Sequence, residues 1–267
     1  MTIHPQILNE MLKFSAHLHC AQSNKKRNSS HLHWLEIKCT DYYTLFHSST
    51  VLKSVKLTGI FSMPKILLYL GSLLFIISVL VLNIPSWQQF DVASVEFLST
   101  QRTAHLNQLA ITLSVLGGMP FVLFLTCLWC FYLAWYKKYT KIVFISVGLV
   151  VSIALSWLLK YLFARPRPPE ALHLVETFGA SFPSAHSFYA ATLGCLVIYL
   201  SLQHPAHKIL SVCAWLWMLL MGISRVYLGV HYPSDVLSGW SISFIWITLW
   251  YLFCAQYLQD KPIHKFR

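Results

Sequence analysis

Hydrophobic positions in this chain come in long blocks rather than in the alternation of a half-buried strand. Six apolar runs lie near Ile66–Ile84, Leu109–Tyr136, Ile142–Phe163, Ser187–Gln203, Ile209–Leu228 and Val236–Leu258. A helix needs about twenty such residues to cross a bilayer, and helices or closed barrels are the only backbones that can span one. The pattern therefore predicts an all-α, polytopic membrane protein with six transmembrane helices in a bundle. The second run is longer than a span requires. Gly117-Gly118-Met119-Pro120 inside it predicts a kink or a delayed start. The fourth run is short.

Composition agrees with the blocks. Hydrophobic residues make up 56% of the 267 positions and charged residues only 11%, where a soluble domain carries about 25% charged. The net charge of +11 does not point to nucleic acid, because most basic residues flank the apolar runs, where lipid headgroups and topology account for them. With the N-terminus inside, the inner segments hold Lys53, Lys56, Lys65, Lys137, Lys138, Lys141, Lys208, Lys261, Lys265 and Arg267. The outer segments hold only Arg102, Lys160, Arg165, Arg167 and Arg225. The excess of inner positive charge predicts both termini in the cytoplasm of a cell whose plasma (inner) membrane holds the chain.

Residues 1–62 differ from the rest: polar, His-rich, and without a long apolar run. They read as a cytoplasmic extension, weakly ordered or lying on the membrane surface, before a six-helix domain over 63–260 and a cytoplasmic tail over 261–267. No cleavable signal peptide is evident at Met1, and Met63-Pro64-Lys65 reads as an alternative start. His17, His19, Cys20, His31, His33 and Cys39 match no zinc spacing, so no metal is expected there. Cys127, Cys130, Cys195, Cys213 and Cys254 fall inside apolar runs, where sulfur packs as a small hydrophobe.

Ionisable residues near the spans are costly and tend to be functional. Here they cluster in three places: Lys160 to Arg165-Pro166-Arg167-Pro168, Pro183-Ser184-Ala185-His186, and Ser224-Arg225 to His231 and Asp235. Counting six spans brings all three to one membrane face. Taken singly, a basic residue at a span end is an interface anchor and a serine before a helix is a cap. Taken together that explanation fails, since the positive-inside pattern leaves basic residues on this face unexplained. Only Arg165 stays secondary, as a helix-end anchor.

The chemistry of the set is that of phosphoryl transfer. Lys160, Arg167 and Arg225 suit a group with spread negative charge, and Ser184 stands where a helix begins, its hydroxyl and the exposed backbone N–H groups there forming a natural anion site. Asp235, four residues after His231, can fix its tautomer and leave the other nitrogen to attack phosphorus. His186 suits a general acid. Acidic residues are too few on this face for a metal-dependent site, so no metal or other cofactor is expected; Glu170 and Glu176 read as exposed loop polarity.

The three segments resemble the signature motifs of the type 2 phosphatidic acid phosphatase family, the lipid phosphate phosphatases, in its bacterial membrane branch. Lys, six residues, Arg-Pro fits Lys160 and Arg167-Pro168; Pro-Ser-Gly-His fits Pro183-Ser184-Ala185-His186, with Ala185 replacing the glycine; Ser-Arg, five residues, His, three residues, Asp fits Ser224-Arg225, His231 and Asp235. The alanine serves if only its N–H is used and is strained if the backbone needs a positive φ. The resemblance implies a metal-independent reaction through a phosphohistidine on His231. His186 would serve first as acid and then as base, with Lys160, Arg167, Ser184, Ala185 and Arg225 on the phosphoryl oxygens. It also implies a membrane lipid phosphate as substrate, with undecaprenyl pyrophosphate first and phosphatidylglycerophosphate or phosphatidic acid as alternatives. Transfer to an alcohol instead of water, vanadate-dependent oxidation and a non-enzymatic lipid-binding role are the competing classes. The haloperoxidases that share these motifs are soluble, and a degenerate site would not retain His231 and Asp235.

Overall fold

The structure, a computed structural model, describes residues 63–258. The expectations for 1–62 and for 261–267 lie outside the described residues. Within them the chain is all-helical: α1 (Met63–Asn83), α2 (Pro85–Thr100), α3 (Ala104–Gly117), α4 (Met119–Trp135), α5 (Tyr139–Phe163), a 3-10 turn (Glu170–Leu172), α6 (Ala185–Ser201), α7 (His207–Tyr227) and α8 (Pro233–Leu258).

Helices α1, α5, α7 and α8 are long and apolar enough to cross a membrane. Helices α3 and α4 are long and apolar enough only when taken together, with a bend of 55° between them. The bend falls where the sequence places it. Gly118 leaves helical geometry, and Pro120, which has no N–H, follows Met119 at the start of α4. The fourth apolar run, Ser187–Gln203 by prediction, corresponds to α6. At 17 residues its length is about 25 Å, short of the roughly 30 Å hydrocarbon core. Its surroundings explain why it can be short. α6 packs most extensively on α8 and α7 and also on α5, so protein rather than lipid faces most of its surface.

Packing around α6 is close and partly polar. Thr192 links α6 to Ser152 of α5 (2.9 Å) and Ser243 of α8 (3.0 Å), and Tyr199 pairs with Thr248 (2.6 Å). Such hydroxyls hold spans together where water offers no competition. Outward, large apolar side chains remain uncovered: Phe131 is 70% exposed, Ile209 69% and Val150 61%. A soluble monomer does not present so much apolar surface; a lipid-facing one does.

One element departs from expectation. Residues 85–100, which fall between the first two apolar runs and carry no predicted element, form α2, opened by Pro85 and burying Asp91 and Val95. An aspartate occupies a position where helical periodicity would call for a hydrophobe, so the stripe Asp91, Val95, Leu98 does not register as amphipathic.

Candidate active site

Lys160 lies in the last turn of α5 and is 7% exposed. The helix ends at Ala164, whose left-handed φ of 43° turns the chain back over the bundle. The returning loop is pinned from below: Lys160 Nζ donates to the Ala180 carbonyl at 2.6 Å, and Ser181 N–H donates to the Arg165 carbonyl at 2.8 Å. Arg167 donates to the carbonyls of Gly179 (2.9 Å), Phe178 (2.9 Å) and Val230 (2.8 Å). The first cluster thereby fixes the approach to the second and reaches the third.

Ser184 is the N-cap of α6, its hydroxyl accepting from Ser187 N–H at 3.4 Å and Ser187 Oγ at 3.0 Å. Its own N–H donates to the Asp235 carbonyl at 3.0 Å, which ties the second cluster to the head of α8. Gly239 permits this approach, since a Cβ there would stand 2.8 Å from the Ser184 carbonyl oxygen. Ala185 begins α6 and is not among the residues with positive φ, so the replacement of glycine introduces no strain.

His231 sits between α7 and α8 in a turn that ends where Pro233 opens α8. It is 2% exposed, and Asp235 is fully buried. Nδ1 lies 3.5 Å from Asp235 Oδ2, with Ser181 Oγ beside both: 2.5 Å from that oxygen and 3.4 Å from Nδ1. Nε2 faces the Arg167 fork at 3.3 Å. A guanidinium only donates, so Nε2 must carry a lone pair and Nδ1 the proton. Burial, followed by the charges of Arg167, Lys160 and Arg225, holds the imidazole pKa well below its usual 6.5. The ring is a neutral base at neutral pH.

Arg225, 3% exposed, donates to Ser114 Oγ at 2.5 Å, while its Nε has no partner. His186, half-buried in the first turn of α6, directs its ring to the backbone carbonyl of Ser114. Ser114 sits in the last turn before the bend, and the Gly118 N–H turns to Val115 instead. The bent α3–α4 pair thus supplies one residue that touches both His186 and Arg225. Lys160, Arg225 and His231 all lie within electrostatic reach of His186, so the predicted residues do converge. Glu170 and Glu176 are exposed, as expected.

Sequence reasoning missed Ser114, Ser181, Asp91 and the part played by Arg165. Arg165 is no simple anchor: it bridges Asp91 (2.8 Å) and Asp235 (2.6 Å). Arg102, the remaining outer cation, donates to the carbonyls of Leu172 (2.7 Å) and Tyr227 (2.9 Å) and ties loops together. Serines carry no spacing signal that would have marked Ser114 or Ser181.

Comparison with known proteins agrees with this geometry. A family model described as the PAP2 superfamily matches residues 141–258. The chain is 30% identical over 200 residues to phosphatidylglycerophosphatase B of Bacillus subtilis, covering 73% of this chain and 95% of that protein. It is 28% identical over 218 residues to an undecaprenyl-diphosphatase of Sulfolobus acidocaldarius, covering 76% and 97%. The crystal structure of the transmembrane PAP2-type phosphatidylglycerolphosphate phosphatase from Bacillus subtilis superposes with a TM-score of 0.65 at 28% identity, covering 74% of this chain and 97% of that one. With its long apolar helices and its buried, cation-ringed histidine, the chain belongs to the PAP2 superfamily and is a membrane lipid phosphatase.

Proposed function

We propose that the chain hydrolyses a polyprenyl diphosphate, undecaprenyl pyrophosphate first among candidates, at the outer face of the plasma membrane through a phosphohistidine on His231. The observation that carries the mechanism is the fixed tautomer of His231, with Nδ1–H toward Asp235 and Ser181 and the Nε2 lone pair toward the cations. Substrate phosphate entering beside Arg167 meets its positive charge, together with Lys160, Arg225 and the amides at the start of α6. Nε2 then attacks phosphorus as the P–O bond to the leaving group breaks. His186, whose ring faces the Ser114 carbonyl, gives its proton to the departing oxygen. In the second step the neutral His186 takes a proton from water, whose oxygen displaces His231 and releases phosphate. Positioning and charge stabilisation supply most of the rate in such transfers.

The six-span count, with both termini inside, supports the outer placement of the site through the scarcity of outer cations other than those in the site. The names of the relatives divide between diphosphatase and phosphatidylglycerophosphatase, which makes phosphatidylglycerophosphate the second reading. Phosphate release by the purified protein from undecaprenyl pyrophosphate, phosphatidylglycerophosphate and phosphatidic acid decides between them. A kcat/KM highest for the first supports the proposal; a clear preference for either monophosphate replaces the substrate and leaves the mechanism standing.

A further inference from the structure

Asp91 on α2 is a buried carboxylate, 3% exposed, outside the phosphate site. Its Oδ1 accepts from Ser234 N–H at 3.0 Å. Its Oδ2 accepts from Arg165 at 2.8 Å and from the Ser234 hydroxyl. The other terminal nitrogen of Arg165 reaches Asp235 Oδ1 at 2.6 Å and Ser234 Oγ at 2.8 Å, and the guanidinium lies 4.2 Å above the Tyr232 ring. Asp235 then keeps Oδ2 for Ser181, for the Tyr232 N–H at 2.9 Å and for His231. The series Asp91, Arg165, Asp235, His231 is thus continuous.

The charges show what the series does. Arg165 bound to Asp235 alone would draw that carboxylate's charge away from the imidazole it has to support. A second carboxylate on the far side of the guanidinium offsets this pull. The two acids outweigh the effect of burial on Arg165 and raise its pKa. A bidentate fork between two carboxylates also fixes the orientation of both. We infer that Asp91 is a positioning residue for the nucleophile: by engaging one side of Arg165, it leaves Asp235 oriented and charged toward His231. This rests on the reading of His231 as nucleophile. It makes α2, a helix on the outer side of the bundle, part of the catalytic apparatus.

The competing role is purely structural, since Asp91 also accepts an N–H in the first turn of α8. Asp91→Asn separates the two, because the amide keeps an acceptor for Ser234 and loses the charge that pairs with Arg165. The measurement is kcat and KM for the purified full chain in detergent, per folded molecule, for wild type, Asp91→Asn, Arg165→Gln, the double variant and His231→Ala. Asp91→Asn is expected to lower kcat about tenfold or more, the scale on which groups that orient a functional histidine act. KM should stay within about threefold of wild type, because no phosphate contact is lost. The double variant should be no slower than Arg165→Gln alone, because Asp91 acts through that arginine. A wild-type kcat in Asp91→Asn, or losses that multiply in the double variant, overturns the inference. If Asp91→Asn does not fold, Arg165→Lys tests the same link: a lysine cannot bridge both acids, and a wild-type kcat there also overturns it. Activity in His231→Ala would instead remove the reading beneath it.

Discussion

His231 is buried, yet it has two differently occupied nitrogens: one held by Asp235 and Ser181, the other facing Arg167. This asymmetry sets it apart from a packed core histidine and is what the proposed nucleophile requires. Because burial and three cations lower its pKa, it should remain neutral at pH 6, where an ordinary imidazole is largely protonated. Nitrogen NMR of histidine-labelled protein checks this, with the resonance assigned by its loss in His231→Gln; an imidazolium at pH 6 would contradict it. Arg225 gives a second residue-level prediction. Its guanidinium donates to the Ser114 hydroxyl, so Ser114→Ala removes a hydrogen bond to a charged group, worth about 1.5–3 kcal/mol. The inhibition constant for inorganic vanadate should rise about tenfold or more, and an unchanged constant would show that Ser114 does not place Arg225. The side chains at the reacting centre are legible in the sequence because chemistry restricts their type and spacing. Ser114 and Ser181 are not, because a hydroxyl becomes informative only once its neighbours are known.

At the level of elements, three connections build the site: the left-handed end of α5, the Gly-Gly-Met-Pro break between α3 and α4, and the turn between α7 and α8. In that turn Gly229 has φ +75°, and a Cβ on it would stand 2.0 Å from the Leu172 carbonyl oxygen. Gly229→Ala should therefore destabilise the protein by about 2 kcal/mol or more and lower its thermal midpoint. A midpoint equal to wild type would mean that the turn has another conformation. The spans and the break are readable from hydropathy and from Gly and Pro chemistry. Helix α2 is not, because the aspartate that gives it a purpose also interrupts its apolar stripe.

For the whole molecule, the positive-inside pattern predicts a topology that cysteine labelling can test. In a background without the seven native cysteines, a cysteine at Glu176 should react with an impermeant maleimide on intact cells, and one at Gln203 should not. The reverse result would place the site in the cytoplasm. α6 packs on α8, α7 and α5 with the proposed phosphate site at its head, so neighbouring helices surround it while their ends supply the charges. The claim on which this account depends is that His231 carries the phosphoryl group. Its most direct test is phosphate release from undecaprenyl pyrophosphate and phosphatidylglycerophosphate, in EDTA, by wild type and by His231→Ala with its fold verified. The account predicts activity that survives EDTA in the wild type and is lost in the variant; equal activity in both would contradict it.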